Sequence, residues 1–200
     1  MALTRVILGS KQKALKINLD PDLYGTFAEI GAGQEVVRQF FRAGGASGTI
    51  AKAMSAYDKS FSDAIYGKET TGRYVCESRL RRMLNKEYFL IDERISREKS
   101  PSKKFFAFAD TVTTINYHKT FKGHGWMGMR FQRHANEAPS NVIIHIKLHD
   151  NDASTQQSKI GDLGVNLIYG CFMLHDRPKQ LIKSLYDNLS REHIEIDMVN

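Results

Sequence analysis

Two hundred residues, 42% hydrophobic and 26% charged, are enough chain to bury a sizeable core, and this composition excludes a disordered or low-complexity polypeptide. No apolar run reaches the roughly 18 residues that a bilayer-spanning helix needs, and the opening Met-Ala-Leu-Thr-Arg-Val lacks the apolar stretch and cleavage pattern of a signal peptide, so the chain reads as cytoplasmic with no membrane partner. The net charge of +7 is uneven: residues 68–104 hold 11 Lys/Arg against 6 Asp/Glu, whereas residues 150–200 hold 5 against 8.

The first expected element is a short apolar strand, Arg5-Val6-Ile7-Leu8, followed by a polar connector ending in Asp20-Pro21-Asp22. A helix is predicted over about 24–42, because Phe27, Ile30, Val37, Phe40 and Phe41 recur at three- and four-residue intervals before Gly44-Gly45 stops it. On that helix Glu29 sits at the edge of the apolar stripe. Gly25, Gly31 and Gly33 then call for an explanation, since a glycine inside a helix costs about 1 kcal/mol against alanine. Close packing or backbone approach by a ligand would supply one.

A short helix carrying Ile50, Ala53, Met54 and Tyr57 comes next, then a charged helix over about 76–97. In it Arg79, Arg81, Arg82, Lys86, Arg94 and Arg97 interleave with Glu77, Glu87, Asp92, Glu93 and Glu98, a pattern that fits a solvated face as well as a nucleic-acid-binding one. Strands are predicted at 104–114, 126–132 and 141–149, a helix at 153–173 capped by Asp152, a helix at 178–189 opened by Pro178, and an alternating strand at 194–199. The expected architecture is an α/β (α+β) fold with a single mixed sheet of four to five strands flanked by helices, one domain over residues 1–200. A closing strand that runs to the last residue fits a natural polypeptide that continues further, and equally an edge strand at a true terminus.

Period-two reading of 104–114 puts Phe106, Phe108 and Asp110 on one face, which makes Asp110 a carboxylate on an apolar surface. Glu29 and Asp110 are expected to share a cavity, and with His124 they are the candidate catalytic groups. Gly31-Ala32-Gly33 matches part of a dinucleotide fingerprint, but a helix over 24–42 denies it the preceding strand. The cluster Gly44-Gly45-Ala46-Ser47-Gly48-Thr49 lacks the Gly-Lys-Ser/Thr ending of a P-loop. After Gly123-His124-Gly125, one strand face presents Trp126, Arg130 and Gln132, and an aromatic with an arginine can sandwich a base or hold a phosphate. Gly31, Gly33, Trp126, Arg130 and Lys147 are therefore the candidate ligand-binding residues. His118, His124, His134, His145 and His149 have no zincin spacing, Cys76 and Cys171 read as free thiols, and no Gly-x-Ser-x-Gly elbow occurs. The preferred reading is a domain that binds a nucleotide or other phosphorylated small molecule as part of an enzyme. The alternatives are a nucleic-acid-binding or decayed nuclease-like module using Lys147 and the 68–104 region, and a structural or homo-oligomerisation domain.

Two resemblances accompany these motifs. The element order α-β-β-β-α-β resembles the restriction-endonuclease-like fold, which implies Glu29, Asp110 and Lys147 as helix acid, strand acid and lysine, although His145-Ile146-Lys147 stands where that family has an acid two residues before its lysine. The segments 24–35, 108–112, 124–128 and 164–170 resemble the N-terminal half of a longer bacterial family with no established activity, implying a truncated chain and no particular reaction.

Overall fold

The computed structural model describes residues 6–95 and 98–200; Arg5 and Arg97, which were assigned to the first strand and to the end of the charged helix, lie outside the described residues. In chain order the elements are α1 (Ser10–Asn18), β1 (Leu23–Gly31), α2 (Glu35–Ala43), a 3-10 turn (Ala46–Gly48), β2 (Ile50–Ser55), α3 (Lys59–Tyr66), α4 (Glu77–Arg94), β3 (Lys104–Thr113), β4 (His124–Phe131), β5 (Ser140–Leu148), α5 (Ala153–Met173), α6 (Pro178–Ser184) and β6 (Ile194–Val199). The strands form one sheet of six in the order β2-β1-β3-β4-β5-β6, so the expected mixed sheet with flanking helices is present but larger than four to five strands.

The two additional strands replace predicted helix. Residues 23–31 form β1, and the helical stretch begins only at Glu35; likewise Ile50–Ser55 is β2, and the helix after it starts at Lys59. β1 is buried along nearly its whole length, with Leu23, Phe27 and Ala28 all almost inaccessible. A strand covered on both faces reads as a continuous apolar run without alternation, and chance i, i+3 coincidences then mimic a helix. At the N-terminus the difference is reversed. Val6, Ile7 and Leu8 form no strand, and part of the expected connector folds as α1.

β1, β2 and β3 are mutually parallel, while β4, β5 and β6 follow as antiparallel neighbours. The chain leaves β1 through α2 to reach β2 on one side, then returns through α3 and α4 to β3 on the other. Because parallel crossovers are right-handed, moving in opposite directions puts the two connections on opposite faces of the sheet. One core accordingly lies between the sheet and α1, α2, α5 and α6, around Phe27, Phe40, Phe106, Phe108, Leu163 and Leu167. The other lies beneath α4, around Leu80, Met83, Leu84, Phe105 and Ala107.

What holds α1 in place is a buried cation. Lys13 is 1% exposed, and its Nζ donates to Asn166 Oδ1 on α5 at 2.6 Å and to Asp187 Oδ2 after α6 at 2.7 Å. Asn166 Nδ2 in turn donates to the carbonyls of Leu185 and Asp187. Removing one member of such a buried pair strands the other charge. Lys13→Ala is expected to lower the unfolding free energy by about 3–5 kcal/mol in urea titrations. The double variant Lys13→Met/Asp187→Leu, which removes both charges, is expected to lose less than Lys13→Ala alone.

Candidate functional site

The parallel pairing of β1 with β3 aligns Gly25 through Gly31 with Phe106 through Val112, and Glu29 falls opposite Asp110. The two carboxyl groups expected to meet are thus register neighbours on the α2 face of the sheet. Neither reaches solvent: Glu29 is 2% exposed and Asp110 not at all. They lie under the β1–α2 turn, not in an open cavity.

Glu29 Oε1 accepts from the amides of Val36 at 3.1 Å and Val37 at 3.3 Å, in the first turn of α2. A helix N-terminus concentrates unsatisfied amides and positive potential, and Glu29 fills that position from inside the fold. Among the described residues no well-formed hydrogen bond reaches either oxygen of Asp110, and only the Ile30 amide is near enough to offset its burial. Burial pushes the Glu29 carboxyl up to about 10, the neighbouring Asp110 adds to the rise, and the Val37 and Val36 amides oppose it. Burial likewise holds Asp110 well above the usual carboxylate range. The pair therefore keeps a proton at neutral pH, and whatever charge it carries rests on Glu29, which has the two donors.

The glycines of the turn are explained by this arrangement. Gly31 has φ +78°, and a Cβ there would lie 2.2 Å from the Val112 carbonyl oxygen. At Gly33 a Cβ would lie 1.9 Å from Asp110 Oδ1, so the backbone crosses directly over the buried carboxyl. The order strand, glycine turn, helix is present after all. Its helix amides, however, are already taken by Glu29.

Open space begins just beyond. The crevice outside the carboxyl ends of parallel strands, where successive crossovers diverge, is the usual ligand position in open α/β sheets, and here it falls between β1 and β3. A cleft of about 340 Å³ lies to one side of the turn, lined by Gly31, Ala32, Gln34, Tyr57, Thr114 and Gln157. Gln34 Nε2 ties this turn to the end of β2 by donating to Ser55 Oγ at 3.0 Å. A larger cleft of about 610 Å³ lies toward the α3 and α4 side, with Lys59, Arg73, Tyr74, Thr113, Phe121 and His124 in its walls. Lys59 and Arg73 have no ion-pair partner among the described residues, and Lys59 Nζ lies 5.5 Å from the centre of the Tyr74 ring. Tyr74 is held by its hydroxyl to Asp63 Oδ2 and by its carbonyl, which accepts from Thr111 Oγ1.

His124 opens β4 at the rim of this cleft, opposite Thr113 of β3 and Lys147 of β5. Its neighbours are His145, whose Nε2 lies 3.4 Å from His124 Nδ1, and behind it Asp197, whose Oδ1 is 2.6 Å from His145 Nδ1. Lys147 donates to Asp197 Oδ2 at 2.9 Å. Burial, with a smaller contribution from the neighbouring His145, keeps the His124 imidazole below its ordinary pKa, against the pull of Asp197. Trp126 stacks obliquely on His145 with ring centres 4.7 Å apart. Arg130, on the same face, lies six positions along β4, about 20 Å from His124. It rests over Tyr88 and donates to Asn141 Oδ1. Gln132 is buried between the Phe105 amide and the Glu137 carbonyl.

The structure thus brings Gly31, Gly33, Glu29 and Asp110 together at the switch point, and groups His124 with Trp126 and Lys147 beside it. It does not bring Arg130 to either cleft. Lys59, Arg73, Tyr74 and Asp197 were not singled out from the sequence, and His145 was given no role there. They come from the start of α3, the loop between α3 and α4, β5 and β6, and no spacing in the chain links them. Among the described residues no group of three or more His, Cys, Asp and Glu side chains converges to hold a metal ion. The 68–104 region is also less available than its composition implies. Arg79 is fully buried against Asp63 and Glu69, Arg82 pairs with Glu69, and Arg81 pairs with Glu77.

No protein-family model matches the chain, and no curated protein matches it in sequence. Solved structures do resemble it. A competence/damage-inducible protein from Agrobacterium tumefaciens superposes with a TM-score of 0.55 at 14% identity, covering 82% of this chain and 97% of that one. The competence damage-inducible protein A of Klebsiella pneumoniae gives 0.57 at 9% identity over 80% and 92%. A CinA-superfamily protein of Klebsiella pneumoniae gives 0.55 at 7% over 87% and 96%. At such identities the likeness is one of fold. It replaces both resemblances drawn from the sequence, since the neighbours are CinA-type proteins and the restriction-endonuclease-like order depended on reading β1 as helix and omitting β2.

Two outcomes test the carboxyl pair. Gly33→Ala is expected to cost about 1–3 kcal/mol by overpacking, and in an Asp110→Ala background that cost should fall by more than half, measured as a double-mutant cycle in urea. The folded pair retains a proton that the unfolded chain releases above about pH 4, so its contribution to stability is present on the acid side and is lost as pH rises toward the folded value. The thermal midpoint of Glu29→Gln or Asp110→Asn is therefore expected to fall less than that of the parent between about pH 5 and about pH 9.

Proposed function

We propose that this chain is a cytoplasmic bacterial α/β domain that binds a nucleotide or other phosphorylated small molecule, as part of an enzyme, in the cleft beside the carboxyl end of β3 and the start of β4. The observation that carries this reading is the pair of cations, Lys59 and Arg73, lining a cleft of about 610 Å³ beside the end of β3 and the start of β4, with no ion-pair partner among the described residues. Tyr74 and Phe121 add the aromatic surface on which a base or ring would rest. The phosphate is placed here and not on α2, because Glu29 already occupies the amides of that helix. Lys147 takes a supporting part at the rim through Asp197. No described helix is long and apolar enough to cross a membrane, in keeping with this assignment. The names of the similar structures describe inducibility by competence or damage and specify no reaction.

Calorimetric titration with inorganic phosphate and with AMP tests the reading. Binding of either probe is expected to weaken at least about tenfold in Lys59→Ala and Arg73→Ala, one lost charge-assisted contact each, and to persist in Arg130→Ala. A ligand with one phosphate should show a log–log salt slope much shallower than the −5 or so that six duplex phosphates would give. Absence of binding by both probes, or binding indifferent to Lys59 and Arg73, would remove the assignment.

A further inference from the structure

Asp197, His145 and His124 form a line that ends at the cleft, and with both imidazoles neutral hydrogen-bond donor logic fixes where their protons sit. Asp197 is ionised: burial works to raise its carboxyl, but the hydrogen bonds from Lys147 and His145 and the charge of Lys147 outweigh it and hold the pKa low. A carboxylate can only accept, so His145 Nδ1 carries the hydrogen in the 2.6 Å contact. In the neutral ring His145 Nε2 is then an acceptor, and its 3.4 Å neighbour His124 Nδ1 must donate. This leaves the lone pair of His124 on Nε2. That atom has no partner among the described residues, on a side chain that lines the cleft.

We propose that His124 Nε2 is a general base and acid for hydrolysis of a phosphate ester or anhydride held by Lys59 and Arg73, with His145 and Asp197 as the positioning pair that fixes its tautomer and stabilises its protonated form. This rests on the binding reading above. His124 Nε2 takes a proton from water as the water oxygen bonds to phosphorus, the bond from phosphorus to the leaving oxygen breaks with its electron pair, and the imidazolium returns its proton to that oxygen. Ester and water become phosphate and alcohol, with no further reactant. The cations opposite stabilise the charge that develops on the phosphoryl oxygens. His124 faces few other titratable groups: His145 and then Asp197 lie behind it, with Lys147 and Glu195 around Asp197, while Lys59, Arg73 and Tyr74 stand across the cleft and β3 supplies only Thr113. Burial lowers the pKa of the imidazole and so favours the neutral form that a base requires.

The experiment uses the full chain with p-nitrophenyl phosphate and bis(p-nitrophenyl) phosphate, alongside inorganic phosphate binding and two-bond 1H–15N histidine spectra. Hydrolysis of either ester is expected, falling at least about 100-fold in kcat in His124→Asn. Asp197→Ala is expected to lower kcat while KM is kept and to move the acid limb of the pH profile, a change that a merely structural role would not produce. The spectra should show His124 protonated at Nδ1 in the parent and mixed tautomers in Asp197→Ala, whatever the substrate. Phosphate binding with no hydrolysis of either ester, hydrolysis that His124→Asn leaves intact, or an Nε2-protonated His124 would each overturn this inference and leave the binding reading standing. Loss of phosphate binding altogether would overturn both.

Discussion

Parallel pairing of β1 with β3, in register at Glu29 and Asp110, is the constraint from which the rest of the structure follows. It places two carboxyl groups in the middle of a covered sheet, where an unpartnered polar group costs about 1–3 kcal/mol and an unpaired charge far more. The fold meets that cost by three local means. α2 begins directly above Glu29 and gives it two amides, Gly33 removes the side chain that would collide with Asp110, and the pair retains a proton. The position of α2 then settles that of α5, whose Gly164 lets Val36 come close. α1 is tied to α5 in turn by Lys13 and Asn166.

The same pairing decides where a ligand fits. With β2 and β3 on opposite sides of β1, the two crossovers diverge at the carboxyl ends of β1 and β3 and leave a crevice there. In dinucleotide-binding folds the turn after the first strand presents its helix amides to a phosphate. Here those amides face inward, onto a carboxylate of the same chain. We propose that attraction for an anion passes to Lys59 at the start of α3 and Arg73 on the loop before α4, and that the polar line through His124, His145 and Asp197 supplies the remaining chemistry from the antiparallel half of the sheet.

β3, β4, β5, α5 and β6 were legible in the sequence to within a residue or two, because each has a clear period or a clear stop. Asp152 caps α5 by accepting from the Thr155 amide, and Pro178 opens α6. β1 was not legible. Leu23-Tyr24-Gly25-Thr26-Phe27-Ala28-Glu29-Ile30-Gly31 lies at the centre of the parallel part of the sheet, and burial on both faces erases the alternation that marks a strand. β2 does alternate in burial, but Ile50 through Ser55 are mostly small or flexible residues whose propensities carry little signal. α1 was missed because a buried lysine in a charged stretch looks solvated until its partner, 174 positions away, is known.

Composition and local pattern by themselves determined that this chain is α/β, that it buries a large core, that its last hundred residues form three strands, a long helix and a closing strand, and that Glu29 and Asp110 sit among apolar neighbours. Those properties depend on residues adjacent in sequence or at fixed short spacings. Only the tertiary structure decided that the two carboxyls share one register position, that Gly33 exists to cover one of them, and that Arg79 is an internal ion and not part of a basic surface. It alone brought His124, His145 and Asp197 into line. Each of these depends on which strands lie side by side, and strand order is set by the packing of helices on both faces of the sheet, a property that no single stretch of the chain contains.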